Sequence, residues 1–120
     1  LNAIQMLQTL KTQGKRIMMV ADMLELGSKA KELHSQMGVA IAKANVDVLI
    51  TVGALSRHLA ANARKTNKNM SVFACADIES AQKNLAKVLK NGDSLLIKGS
   101  RRMAMERIVD FLQMSPRASV

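Results

Sequence analysis

With 120 residues, 48% of them hydrophobic, the chain is long enough for one packed core and too apolar to be disordered. Lysine and arginine (18) outnumber aspartate and glutamate (9), and the resulting +9 charge favours anionic partners: nucleic acid, anionic lipid, or small phosphorylated or carboxylated molecules. No apolar run approaches the roughly 20 residues needed to cross a bilayer, residues 1–10 lack the charged start and cleavage pattern of a signal peptide, and the lone Cys75 excludes an internal disulfide, as suits a reducing cytosol.

The first element is a helix over Leu1 to Thr12, with Ala3, Met6, Leu7 and Leu10 on one face and Gly14 as its stop. Ile17 to Ala21 is a continuous apolar run, the pattern of a strand covered on both faces. Ser28 is positioned to cap a second helix running to about Asn45, with Leu33, Met37, Ala40, Ile41 and Ala44 as its buried stripe. Asp47 to Val52 reads as the second strand, ended by Gly53. Leu55, Leu59 and Ala63 mark a third helix with basic residues outside.

Ser71 to Ala74 is a short third strand that leaves Cys75 as a small buried residue at its end. Asp77 caps a fourth helix with Ile78, Ala81, Leu85, Val88 and Leu89 on one face. A turn at Asn91-Gly92-Asp93 leads to a fourth strand, Ser94 to Ile97. Ser100 opens a last helix lined by Met105, Ile108, Val109 and Leu112. The core is built from aliphatic residues and nine methionines, with Phe73 and Phe111 as the aromatics.

Short strands alternating with helices pair in parallel through right-handed crossovers. The expected fold is therefore α/β: a Rossmann-like, doubly wound, mainly parallel sheet of about four strands in order 3-2-1-4, with helices on both faces. The domain occupies residues 1–114, and 115–120 form a frayed tail.

In such a sheet a ligand sits at the carboxyl ends of the strands where the winding reverses, here between strands 1 and 4. Two loops meet there: Asp22 to Ser28 and Lys98 to Arg102. In the second, Gly99 admits close backbone approach, Ser100 offers a hydroxyl, and Lys98 and Arg101 bring positive charge beside the free N–H groups of a helix start. Read without any relative, the same residues also fit a plain helix cap with two solvated cations. Asp22 and Glu25 are two carboxylates three apart that either serve a metal or general-base role or, more simply, cap backbone groups or pair with the cations of the opposite loop. Met23, Leu24 and Leu26 pack the loop or rim the crevice. His34, flanking the Leu33/Met37 stripe, reads as a partly buried packing or hydrogen-bonding residue, and His58 as a surface one. No clustered Cys or His favours zinc, and neither G-x-x-x-x-G-K-[ST] nor G-x-G-x-x-G is present.

These loops carry a likeness. Val20-Ala21-Asp22-Met23-Leu24-Glu25-Leu26-Gly27, followed by Glu32, His34 and Gly38, resembles the G-D-M-L-E-L-G…E-x-H-x-x-x-G signature of the Mur ligases that add D-alanyl-D-alanine. Val52-Gly53 with Ser56, and Lys98-Gly99-Ser100-Arg101 with Met105-Glu106, resemble the family's V-G-x-x-S and K-G-S-R-x-x-x-M-E segments in order and spacing. Ala21 departs from the pattern, where the family has glycine.

The resemblance implies the C-terminal substrate-binding and closure domain of an ATP-dependent ligase of peptidoglycan biosynthesis, a cytoplasmic enzyme that joins D-Ala-D-Ala to UDP-MurNAc-tripeptide. In that family ATP phosphorylates the peptide carboxylate, and the dipeptide amine then displaces phosphate. The central ATPase domain carries the P-loop and the Mg2+ ligands, and the C-terminal domain swings in to complete the ATP pocket and present the incoming amine. It further implies that Lys98, Gly99, Ser100 and Arg101 receive the dipeptide carboxylate and that Asp22, Met23 and Leu24 form the facing wall. This chain is expected to contain no catalytic residue or metal site, to bind no ATP or Mg2+ by itself, and to be inactive alone. The full enzyme's partners are small molecules and its own central domain, with neither nucleic acid nor membrane. The rival reading is a small basic nucleic-acid-binding domain using Arg57, Arg64, Lys65 and Lys68, against which stands the absence of Trp and Tyr to stack bases. A receiver-like domain wants an aspartate after strand 3, where Ala74-Cys75-Ala76 stands instead.

Overall fold

A computed structural model describes residues 2–9 and 12–99. Four helices and four strands alternate: α1 (Asn2–Thr9), β1 (Arg16–Ala21), α2 (Ala30–Lys43), β2 (Val48–Val52), α3 (Ser56–Thr66), β3 (Ser71–Cys75), α4 (Ile78–Val88) and β4 (Ser94–Lys98), with a short 3-10 segment, Leu24–Lys29, before α2. The strands form one parallel sheet in the order β3-β2-β1-β4, as their pattern predicts. The expected last helix and tail lie outside the described residues.

The apolar runs of β1 and β2 follow from their central position. Ile17 to Ala21 and Val48 to Val52 are all buried because helices cover both faces. One face sends Ile17, Met19, Ala21, Val48, Ile50 and Val52 against Ile78, Ala81, Leu85 and Leu89 of and after α4. The other sends Met18, Val20 and Leu49 against Ile4 of α1, Ile41 of α2, and Leu59 and Ala63 of α3. Each large side chain so buried contributes roughly 1.5–3 kcal/mol, so most of the fold's drive comes from these two slabs. On the outer strand β3, the Arg64 guanidinium donates to the Val72 carbonyl at 3.1 Å.

Three local expectations need correction. The stripe of α2 is rotated: Ala30, His34, Gly38, Ile41 and Ala42 are buried, whereas Leu33 is 37% exposed and Ala40 is exposed. Gly38 explains the rotation, because a Cβ there would overlap the Leu59 carbonyl, with the carbonyl carbon 2.9 Å away. The two helices therefore meet backbone to backbone along a face of small residues, and size rather than hydrophobicity selects it. Ser28 does not cap α2; it lies in the 3-10 segment, and Lys29 stands at the cap with no side-chain bond. Gly14 does not take the left-handed conformation of a helix C′ residue, which among the described glycines belongs to Gly27, Gly53 and Gly92. Gly14 instead lies where its N–H reaches the Gly92 carbonyl at 3.0 Å and a Cβ would overlap the Asp93 carboxylate. Asp77 does cap α4, accepting the Ser80 N–H at 2.8 Å.

The amino end of the sheet is closed by Asp93. Its carboxylate accepts the backbone N–H of Lys15 at 2.8 Å and of Lys90 at 2.9 Å, and pairs with the Lys15 ammonium at 2.9 Å. Burial works to raise the Asp93 carboxyl, but the hydrogen bonds from the Lys15 side chain and from the Lys15 and Lys90 backbone, with the Lys15 charge, outweigh it and hold it below its ordinary value. Thr12 and Ser94 hydroxyls meet nearby.

Candidate substrate-carboxylate site

At the opposite end of the sheet the start of the second loop singled out by the sequence, Lys98 and Gly99, stands beside the end of β1, from which the first loop leaves. Lys98 ends β4 directly beside Val20 of β1. One residue on, a Cβ on Gly99 would stand 2.7 Å from the Ala21 Cβ and 3.3 Å from its Cα. The turn after β4 therefore starts against the residue that precedes Asp22. This contact also accounts for the departure at Ala21: the methyl group that β1 carries there is tolerated because Gly99 offers no side chain to meet it. Lys98 is half-buried and Gly99 exposed. Ser100 and Arg101 lie outside the described residues.

The loop after β1 is built from backbone bonds and two buried side chains. The Asp22 N–H donates to the Val52 carbonyl at 3.1 Å, and the Gly53 N–H to the Cys75 carbonyl at 3.0 Å, so the exits of β1, β2 and β3 are tied in a row. The Asp22 carboxylate then turns toward α3. Its Oδ2 accepts the Leu55 N–H at 3.1 Å and its Oδ1 the Ser56 N–H at 2.7 Å. A carboxylate at a helix N-terminus satisfies donors that the helix itself leaves unpaired and sits at the positive end of its dipole. Asp22 is 6% exposed, and of the readings open to it this is helix capping. Gly53 makes room: its φ is +111°, and a Cβ would come within 2.5 Å of the carboxylate.

His34 holds the next residue from the other side. Its Nδ1–H donates to the Ala30 carbonyl at 2.6 Å, leaving Nε2 to accept the Met23 N–H at 3.1 Å. The ring is completely buried, more deeply than its place beside the expected apolar stripe suggested. Met23 is also buried, at 7%, whereas Leu24 is 39% exposed, so of the three wall residues Leu24 is the one presented to solvent. Gly27, at φ +67°, kinks the 3-10 segment before α2 begins. Among the described residues the buried hydroxyls of Thr51 and Ser56 have no hydrogen-bond partner.

The sequence motifs missed the division of labour here. Asp22, His34, Gly38 and Gly53 are buried, while Lys98 is half-buried and Gly99 and Leu24 are exposed. The signal that separates them is spacing: His34 stands one helical turn after Ala30, on the face that also carries Gly38 and Ile41.

Among the described residues no group of three or more His, Cys, Asp or Glu is arranged to hold a metal ion. No described helix is long and apolar enough to cross a membrane.

An open parallel sheet in the order β3-β2-β1-β4 with helices on both faces defines the class as a Rossmann-like α/β domain. The sequence matches the family "Mur ligase, glutamate ligase domain" over residues 2–101, and the chain belongs to that family as its C-terminal domain. It is similar to UDP-N-acetylmuramoyl-tripeptide–D-alanyl-D-alanine ligases: 32% identical to that of Bacillus subtilis over 95% of this chain and 25% of the relative, and 33% identical to that of Escherichia coli over 83% and 21%. The chain thus spans about a quarter or less of these relatives' length. Among solved structures, MurF from Acinetobacter baumannii superimposes with a TM-score of 0.80 at 24% identity, over 95% of this chain and 25% of that one. MurF ligase from Thermotoga maritima in complex with ADP gives 0.69 at 27% identity, over 91% and 23%. These matches lend no support to the nucleic-acid-binding alternative.

Proposed function

We propose that this chain is the substrate-receiving and closure domain of an ATP-dependent, amide-bond-forming ligase that adds D-Ala-D-Ala to UDP-MurNAc-tripeptide in the cytoplasm. The observation that carries the reading is that Lys98 and Gly99 stand beside Val20 and Ala21, the residues that lead into the Asp22–Ser28 loop, on segments that resemble the family's signature.

The dipeptide carries a free carboxylate at one end and a reacting amine at the other. Lys98 supplies a cation, Gly99 lets the ligand approach the backbone, and Ser100 and Arg101 follow in sequence. The N-terminus of α3, the other nearby anion site, is already filled by Asp22. The ligand carboxylate is thereby directed to the Lys98 side, with Leu24 opposite as an apolar contact for its methyl groups. Holding the amine in this way turns an encounter into a positioned attack and keeps water from the activated carboxyl group. ATP and Mg2+ belong to the rest of the enzyme, and the chain alone is expected to be inactive.

The test is a chimera in which this chain replaces the matching C-terminal quarter of the Bacillus subtilis ligase, assayed for phosphate release dependent on D-Ala-D-Ala. The proposal expects activity, and expects Lys98→Ala to raise KM for the dipeptide by about tenfold, the value of one charge-assisted contact. A folded chimera with no activity, or one indifferent to Lys98→Ala, contradicts it.

A further inference from the structure

We infer that Asp22 and His34 are positioning residues that set the Met23-Leu24 wall in its ligand-receiving shape before any ligand arrives; the inference rests on reading that loop as the dipeptide wall.

Two independent elements grip two consecutive residues. From α3, the N–H groups of Leu55 and Ser56 hold the Asp22 carboxylate; from α2, His34 Nε2 holds the Met23 N–H. His34 is itself locked through Nδ1 to the Ala30 carbonyl, so its ring cannot turn without losing both bonds. The two helices are fixed to each other by the Gly38–Leu59 backbone contact, which places both grips on one rigid body. The residue that follows them, Leu24, is exposed. A side chain that leaves such a doubly held backbone samples few directions, and this is the arrangement a wall needs.

The consequence is quantitative. A ligand that binds only the set conformation has its apparent Kd multiplied by the inverse of that conformation's population. If losing one grip lets the loop leave the set shape about nine-tenths of the time, binding weakens about tenfold while the chemistry of bound substrate is untouched. Asp22 touches no substrate in this account; it acts through the loop.

In the chimera described above, Asp22→Ala and His34→Gln are expected to raise KM for D-Ala-D-Ala about tenfold with kcat within about twofold, and Asp22→Asn, which keeps one acceptor, to fall between. Asp77→Ala is the matched control: it removes a helix-capping aspartate of the same sheet that has no bond to the loop, and should lower Tm without moving KM. A second readout needs no activity. In the 120-residue chain, amide hydrogen exchange at Met23 to Leu26 should accelerate in Asp22→Asn and His34→Gln and stay unchanged in Asp77→Ala. Unchanged exchange there overturns the inference whether or not the chimera is active. Equal KM effects from Asp22→Ala and Asp77→Ala overturn it as well. An inactive chimera with the expected exchange pattern sinks the dipeptide reading and leaves the preset loop established.

Discussion

The Asp22 carboxylate accepts the Ser56 N–H at 2.7 Å across 34 residues of sequence, joining the end of one strand to the start of the helix that follows its neighbour. With the parallel bond from Leu55, this makes Asp22 a cap supplied by a distant strand rather than by the residue before the helix. Leu55, which occupies that position, has no side-chain cap to offer.

Removing the cap leaves two helix donors without a charged acceptor. Asp22→Ala is expected to lower unfolding free energy by about 2–3 kcal/mol, and Asp22→Asn by about half as much. Urea denaturation of the 120-residue chain measures both. Equal losses for the two would show that the charge contributes nothing.

The Ala21–Gly99 contact predicts coupling between two conservative changes. Gly99→Ala alone should cost about 1–3 kcal/mol, because its methyl group would stand 2.7 Å from the Ala21 Cβ. In an Ala21→Gly background that space is free and most of the cost should vanish. A double-mutant cycle on thermal stability checks it, with an interaction energy of about 1 kcal/mol or more expected.

Gly38 has no such escape. Its Cβ would overlap the Leu59 carbonyl, and backbone cannot swing aside as a side chain does. Gly38→Ala is expected to destabilise by about 3 kcal/mol despite the better helix propensity of alanine. A stability equal to the parent chain's would mean that α2 and α3 do not pack at this distance.

Asp93 gives a pH dependence at the far end of the sheet. Its carboxyl is held below the ordinary value in the fold, so the folded state binds this proton less readily than the unfolded one. Its contribution is complete above the unfolded value, near 3.8, and is lost as pH falls through the lower folded value. Asp93→Asn should therefore reduce stability at neutral pH and flatten its decline in acid. Urea midpoints between neutral pH and pH 3 measure the difference.

Much of this was legible in the chain. The runs at Ile17–Ala21 and Val48–Val52 announced buried parallel strands, and their alternation with helices gave the order of the sheet. The stripe of α2 was not legible, because a hydrophobicity pattern ranks Leu33 above Gly38 while close helix contact ranks them the other way. The engagement of Asp22 was readable only as one of several options. A capping residue is recognised by its neighbours in sequence, and here its partners lie 33 and 34 residues away. His34 was hidden for the same reason: its acceptor role appears only once Met23 is brought to it by the fold.

The central claim is that the ends of β1 and β4 form one carboxylate-receiving mouth, and a titration of isotopically labelled chain with D-Ala-D-Ala, followed by amide shifts, tests it most directly. The account predicts shifts concentrated at Asp22 to Leu26 and Lys98 to Gly99 that weaken in Lys98→Ala. Shifts centred instead on the amino ends of the strands, around Asp47 and Asp93, and indifferent to Lys98→Ala would contradict it.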